Sequence, residues 1–165
     1  MCADPAVMKF FPKTLGRPES DALADRHDNH IRKYGWGVWA VELKDSKDFI
    51  GMVGLNVPSA DLPFSPCTEI LWRLAKPYWG CGYAIEAAAA ALKVGFEILN
   101  LTEIVSFAPV CNHRSRTVME RLNMVDTGST FKHPAVPASS HLETHCLYCL
   151  TRPHWVHIAA PEYKL

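Results

Sequence analysis

The chain has 165 residues, 48% of them hydrophobic and 21% charged, and its seventeen basic side chains balance seventeen acidic ones. That composition excludes a disordered or low-complexity chain, and a pI near 7.1 removes the electrostatic pull that broad nucleic-acid binding needs. No apolar run approaches the ~20 residues of a membrane span, and MCADPAVMKF lacks the apolar centre of a signal peptide, so the expectation is a cytoplasmic protein with neither a nucleic-acid nor a membrane partner.

Residues 3–11 read as a short helical piece ending at Pro12. A better helix follows, with Pro18 in its first turn, Glu19 and Asp21 at its positive end, Arg32 and Lys33 at its negative end, and Gly35 to stop it. Leu23, His27, His30, Ile31 and Tyr34 form its inner stripe, which makes His27 a packed or half-buried side chain rather than a catalytic one. Three strand-like runs come next: Trp36–Leu43, Phe49–Val57 and Thr68–Leu74. Phe49–Val57 is nearly continuous in apolar residues, as a central strand would be. The three prolines of PSADLPFSP make 58–66 a loop.

Gly82–Leu99 is the strongest helix, because five consecutive alanines, Ala87–Ala91, give high propensity and allow a close approach to a sheet. Ala84, Ala88, Leu92, Gly95, Phe96 and Leu99 fall on one face. A strand over Glu103–Val110 follows, then a helix capped by Asn112 and reaching Leu122. Two strands close the pattern, near Val125–Phe131 and Thr144–Arg152, separated by the loop HPAVPASSH. Consecutive strands followed by strand–helix alternation predict a mixed α/β sheet covered by helices, in one domain over 1–152 with a tail over 153–165.

Six cysteines without a secretory signal point to reduced thiols. Cys146 and Cys149 lie three apart on a strand and so point to opposite faces, which chelates poorly; His141 and His145 would share a face, but two imidazoles do not define a zinc site. No metal is expected.

The chemistry lies in EILWRLAKPYWGCGYAIEAAAAALKVGF. A strand ends at Leu74 or Ala75, a loop passes through Gly80-Cys81-Gly82, and a long helix begins. Glycines let backbone N–H groups converge and the helix N-terminus adds positive partial charge, so a diphosphate fits there. Taken alone, the same residues also suit a plain turn. A Walker loop needs Gly-Lys-Ser/Thr, but Tyr83 and Ala84 follow Gly82; a dinucleotide fingerprint needs a third glycine where Ile85 stands.

Four segments in order, ADPAVMKFFP, EILWRLA, PYWGCGYAIEA and CNHRSRTVMERLNM, resemble the GNAT-superfamily N-acetyltransferases, in the branch of the ribosomal-protein N-terminal acetyltransferases. The resemblance implies a mostly antiparallel mixed sheet splayed into a V, where the strand holding Glu69 parts from the strand Glu103–Val110. It implies acetyl-CoA as cosubstrate, its pantetheine along the 72–75 backbone (Leu74, Ala75) and its diphosphate on Trp79, Gly80, Cys81, Gly82, Tyr83 and Ala84. Asn112 would orient pantetheine, against simple helix capping as the plainer role. The acceptor would be a small-molecule or peptide amine, and the protein a monomer or homodimer.

Acyl transfer to an amine needs a neutral nucleophile, a polarised thioester and a proton for the leaving thiolate. Glu69 aligns with a strand glutamate that several relatives use as a base; the competing role is a salt bridge with its strand neighbour Arg73. Ser115 is the candidate proton donor to the thiolate, replacing a tyrosine of relatives that aligns with Met119, or else it is a helix-turn serine. His133, His141 and Tyr148 lie in or beside the last loop, which borders the acceptor site in the family, and either histidine is an alternative base.

The sequence departs from the family in three further places. Trp79 and Cys81 stand where basic or amide side chains are common, and Asn123 replaces a helix-ending glycine. Relatives have a first strand before ADPAVM where two residues stand here, so either the start is assigned too late or the sheet lacks an edge strand. The tail HWVHIAAPEYKL is the candidate to cover the sheet edge that results. These departures keep a non-catalytic acyl-CoA-binding or sensing module in play as the alternative.

Overall fold

A computed structural model describes residues 1–159 of the chain. Residues 3–11 fold as linked turns rather than a helix, with Met8 N–H on Asp4 O at 3.0 Å and Phe11 N–H on Met8 O at 2.9 Å. The segment is too short to propagate a helix, and Pro12 disfavours helical geometry at Phe11. Helix α1 (Arg17–Tyr34) starts where Glu19 Oε2 accepts the Gly16 N–H at 2.9 Å and stops at Gly35, whose φ of +76° only glycine takes freely. Leu23, His27, His30 and Ile31 are half-buried, whereas Tyr34 is exposed.

Strands β1 (Val38–Glu42), β2 (Phe49–Asn56), β3 (Glu69–Leu74), β4 (Glu103–Pro109), β5 (Val125–Lys132) and β6 (Thr144–Thr151) form one mixed sheet in the order β1-β2-β3-β4-β6-β5. Neighbours are antiparallel except β3 and β4, which run parallel and pair at Glu69 opposite Val105 alone. Beyond that pair the two strands part, which opens the expected V. Among the described residues no strand precedes α1, so β1 is an outer edge.

Helix α2 (Tyr83–Lys93) packs on β2 and β3 through Ala88, Ala91 and Leu92. Its continuation is not the regular helix the sequence predicts. Val94–Ile98 widens into a π turn, closed by Leu99 N–H on Val94 O at 2.9 Å. Gly95 lies in this turn against the sheet, where a Cβ would come within 2.5 Å of the Ile104 side chain. Ile50, Leu55, Ile70, Leu92, Phe96 and Ile104 are each at most 1% exposed; burying such side chains stabilises the fold by ~1.5–3 kcal/mol apiece.

Helix α3 (His113–Arg121) begins at Asn112, whose Oδ1 accepts the Ser115 N–H, and ends at Asn123 with φ +58°, a left-handed position that asparagine tolerates. The segment after Thr151 forms helix α4 (Arg152–Ala159). It does not cover the β1 edge: Arg152 Nε donates to Leu101 O and Trp155 stacks on Phe96, with centroids 5.5 Å apart, at the β4–β6 side. The rest of the expected covering tail lies outside the described residues.

The described cysteines are free, and no group of three or more potential metal ligands occurs among the described residues. His141 does not share a strand face with His145, because it sits in the exposed turn before β6 begins. No helix among the described residues is long and apolar enough to cross a membrane.

Candidate active site

The turn between β3 and α2 is built to leave its backbone bare. Gly80 has φ +78° and Gly82 φ +88°, and a Cβ at either would meet no atom within 4 Å, so open space lies above both. Gly82 is the N-cap of α2 and offers no side chain to its first turn, which leaves the leading N–H groups, Tyr83 and Ala84 included, to a ligand. Cys81 is exposed, and its Sγ lies 3.6 Å from Trp79 O. Residues 79–84 carry no basic side chain of their own, but the Arg114 guanidinium lies 4.5 Å from the Trp79 ring centre. Positive charge therefore reaches the loop from α3, a contact invisible in the local sequence.

Thr68 O accepts the Val105 N–H at 2.9 Å and Ile70 O accepts the Ser106 hydroxyl at 3.0 Å. Even-numbered residues of β3 thus turn their backbone towards β4. Past Ile70 the partner strand has diverged, so Trp72 and Leu74 face the cleft. The Trp79 indole donates to Leu74 O at 2.8 Å, fixing the loop to the strand. Ala75 is turned the other way: its N–H bonds Ile50 O and its carbonyl accepts from Tyr78. Of the expected 72–75 track, Ala75 therefore offers no free backbone donor to the cleft.

Glu69 stands at the point of the V. Its Oε2 accepts from Asn56 Nδ2 at 3.2 Å, and burial pushes its pKa up to about 7, with the amide bond opposing that shift. No ion pair is formed with Arg73. That arginine instead lies over the Phe11 ring at 4.1 Å and donates to Cys2 Sγ at 3.3 Å. A carboxyl held near neutrality beside a neutral amide can take up a proton at physiological pH.

On α3, Ser115 Oγ accepts from Asn112 Nδ2 at 3.0 Å while the Ser115 N–H donates back to Asn112 Oδ1 at 3.3 Å. The serine bonds the asparagine side chain rather than the backbone, and its own hydroxyl proton stays uncommitted. Met119 is 1% exposed and belongs to the core. Tyr148 does not border an acceptor loop: it is buried, its hydroxyl donates to Glu120 Oε1 at 3.1 Å and accepts from Arg116, and burial raises its pKa.

The histidines separate. His141 is exposed and belongs to no ring cluster. His133 packs on His145, with ring centres 4.8 Å apart, and burial lowers the pKa of both, His145 to about 4. Asn56, Ser106 and Arg114 had no local signal; the sheet register and the α3 approach bring them to the cleft.

The model for the Acetyltransferase (GNAT) domain matches residues 1–125. The chain belongs to the GNAT acetyltransferase family. It is an acyltransferase, and the V between β3 and β4 is the centre of its fold. A curated relative, the FsC-acetyl coenzyme A-N(2)-transacetylase of Aspergillus fumigatus, is 28% identical over 168 residues, covering 96% of this chain and 70% of that protein. Among solved structures, a GNAT-family acetyltransferase from Bacillus anthracis superposes with a TM-score of 0.74 at 24% identity, over 92% of this chain and 85% of that one. Spermidine N-acetyltransferase from Vibrio cholerae, in complex with CoA and spermine, gives a TM-score of 0.71 at 19% identity, over 93% and 87% of the two chains. Both likenesses are of fold.

Proposed function

We propose that this GNAT protein moves an acetyl group from acetyl-CoA to a primary amine by direct attack, with Glu69 as the base. The carrying observation is that Glu69 is shifted to about 7 by burial at the point where β3 and β4 part, with Asn56 rather than a cation as its partner. The bare N–H groups at Gly80–Ala84, with Arg114 alongside, fit a diphosphate, and Trp72 offers backbone pairing to an extended amide arm. Asn112 holds Ser115 at the start of α3.

In the reaction the amine nitrogen bonds the acetyl carbon while the carbon–sulfur bond breaks. Glu69 takes one amine proton, directly or through a water, and returns it to solvent after turnover; Ser115 gives its proton to the departing thiolate and is reprotonated from solvent. Four ordered sequence segments support the ribosomal-protein N-terminal branch, which keeps peptide N-termini beside small amines as acceptors. Family membership supports transfer over the binding-only alternative.

The test is thiol release from acetyl-CoA with a panel of amines and N-terminal peptides, after mass spectrometry of any co-purified ligand. We expect amine-dependent release of free CoA; a protein that binds acetyl-CoA yet releases none with every acceptor would overturn the proposal.

A further inference from the structure

The sheet face opposite α3 carries a set of rings that the reaction chemistry above does not use. Tyr148 reaches α3, so its neighbours Leu147 and Cys149, and likewise His145, turn to the other face. There Phe64 of the 58–66 loop, Phe107 of β4, Phe131 of β5 and the His133–His145 pair converge. Phe64 meets Phe131 at 5.0 Å and 81°, Phe107 meets Phe131 at 5.6 Å and 80°, and Phe64 lies 5.8 Å from Phe107. These residues are far apart in sequence; the order β4-β6-β5 and the pairing of Phe131 with His145 assemble them.

Three properties mark the cluster as more than packing. First, Phe64, Phe107, Phe131 and His133 are only half-buried, so their rings retain open surface. Second, Phe107 shares a strand face with Val105, and Val105 is the residue opposite Glu69. The patch therefore begins one strand repeat, about 7 Å, from the carboxylate's register position. Third, the patch is uncharged. His133 Nδ1 accepts from Ala135 N–H at 3.1 Å, and His145 Nδ1 bonds Glu143 O at 3.2 Å. Two charged residues that neighbour these rings in sequence, Lys132 and Glu143, pair with each other at 3.3 Å.

We propose that this aromatic patch is the acceptor subsite, and that the acceptor is an arylalkylamine, a primary amine on a short arm from an aromatic ring. The inference rests on the transfer reading above and adds the acceptor class to it. Rings already meeting edge to face offer the same geometry to a further ring. A short arm spans the strand repeat to the base. A polyamine, by contrast, needs several carboxylates, and Phe64, Phe107, Phe131, His133 and His145 supply none.

The experiment compares 2-phenylethylamine, n-butylamine and spermidine in thiol release, with wild type, Phe131→Ala and Phe64→Ala. It is paired with saturation-transfer NMR of 2-phenylethylamine on the CoA-saturated protein. Phe131 is on an edge strand and Phe64 on a loop, so both variants should fold, and melting curves check this. We expect kcat/KM for 2-phenylethylamine about tenfold or more above the other two amines, the discrimination an apolar contact supplies. Both variants should erase that ratio; a purely structural role would lower all three amines alike. Equal turnover of the amines, or a ratio unchanged in both variants, overturns the subsite while leaving acetyl transfer standing. Ring binding that Phe131→Ala abolishes, with no thiol released from any amine, upholds the subsite and overturns transfer. Neither binding nor turnover overturns both.

Discussion

Asn56 and Glu69 face each other across the β2–β3 ladder, Nδ2 donating to Oε2 at 3.2 Å, as register partners of the two strands. A neutral amide orients the carboxyl without fixing its charge. An arginine in the same place would hold it ionised and a poor proton acceptor at neutral pH.

Glu69→Gln keeps the shape and the bond to Asn56 but removes the basic site. We expect kcat/KM to fall by about 10²–10⁴, the span of acid–base groups, with acetyl-CoA affinity retained. The wild-type pH–rate profile should rise through about 7, and that limb should vanish in the variant. His133→Gln and His141→Gln serve as controls that leave the limb in place. Full activity of Glu69→Gln with an unchanged profile would move the base to the histidines.

The same group couples stability to pH. Its folded pKa of about 7 lies above the ordinary 4.5, so between those values the folded state binds more protons than the unfolded one. Its contribution to stability is therefore greatest below 4.5, declines as pH rises, and levels off above 7. Glu69→Gln should melt above wild type at pH 8, with the difference shrinking towards zero at pH 4.5. Calorimetry across that range checks the sign; a constant difference would show that Glu69 is not shifted.

Gly82→Val places a branched side chain in the open space above the loop at φ +88°. Acetyl-CoA should bind at least tenfold more weakly, ~1.4 kcal/mol, and the left-handed backbone should cost a further ~1–2 kcal/mol of stability. Arg114→Ala should weaken binding without that stability loss, and more so at low salt. Titration calorimetry on folded protein measures both. Unchanged affinity in both variants would take the loop out of the site.

Ser115→Ala deletes an acceptor for Asn112 Nδ2 and a hydroxyl proton together. The lost bond should lower stability by about 0.5–1.5 kcal/mol. If the proton serves the thiolate, single-turnover rates should fall about tenfold or more while acetyl-CoA affinity holds. A lower melting temperature with full turnover would leave Ser115 a capping residue only.

What was legible in the sequence was what local chemistry decides. The alanine run and the glycines around Cys81 announced α2 and its bare N-terminus, Asn112 announced α3, and the apolar run at Phe49 announced a central strand. What escaped was decided by long-range pairing. Cys146 and Cys149 could be read as opposite-facing neighbours, but nothing local shows that Phe64, Phe107 and Phe131 share a surface, or that Arg114 sits over Trp79. The π turn at Val94–Ile98 follows an unbroken helical pattern, and Gly95 is the one residue that hints at the crowding there. Arg73 beside Glu69 on one strand face suggested a pair, yet Phe11 and Cys2 from the N-terminal turns claim the arginine.

The bond from the Trp79 indole to Leu74 O joins the glycine loop before α2 to the lip of the cleft. It acts as a caliper. One jaw is the α2 N-terminus, the other the point where β3 and β4 part, and the span between them is set by the protein rather than by its ligand. A thioester on a shortened arm would engage one jaw and leave the other empty. On the proposed acetyl-CoA placement, selectivity for the length of the carrier, as distinct from the identity of the amine, would follow from this bond together with the length of β3.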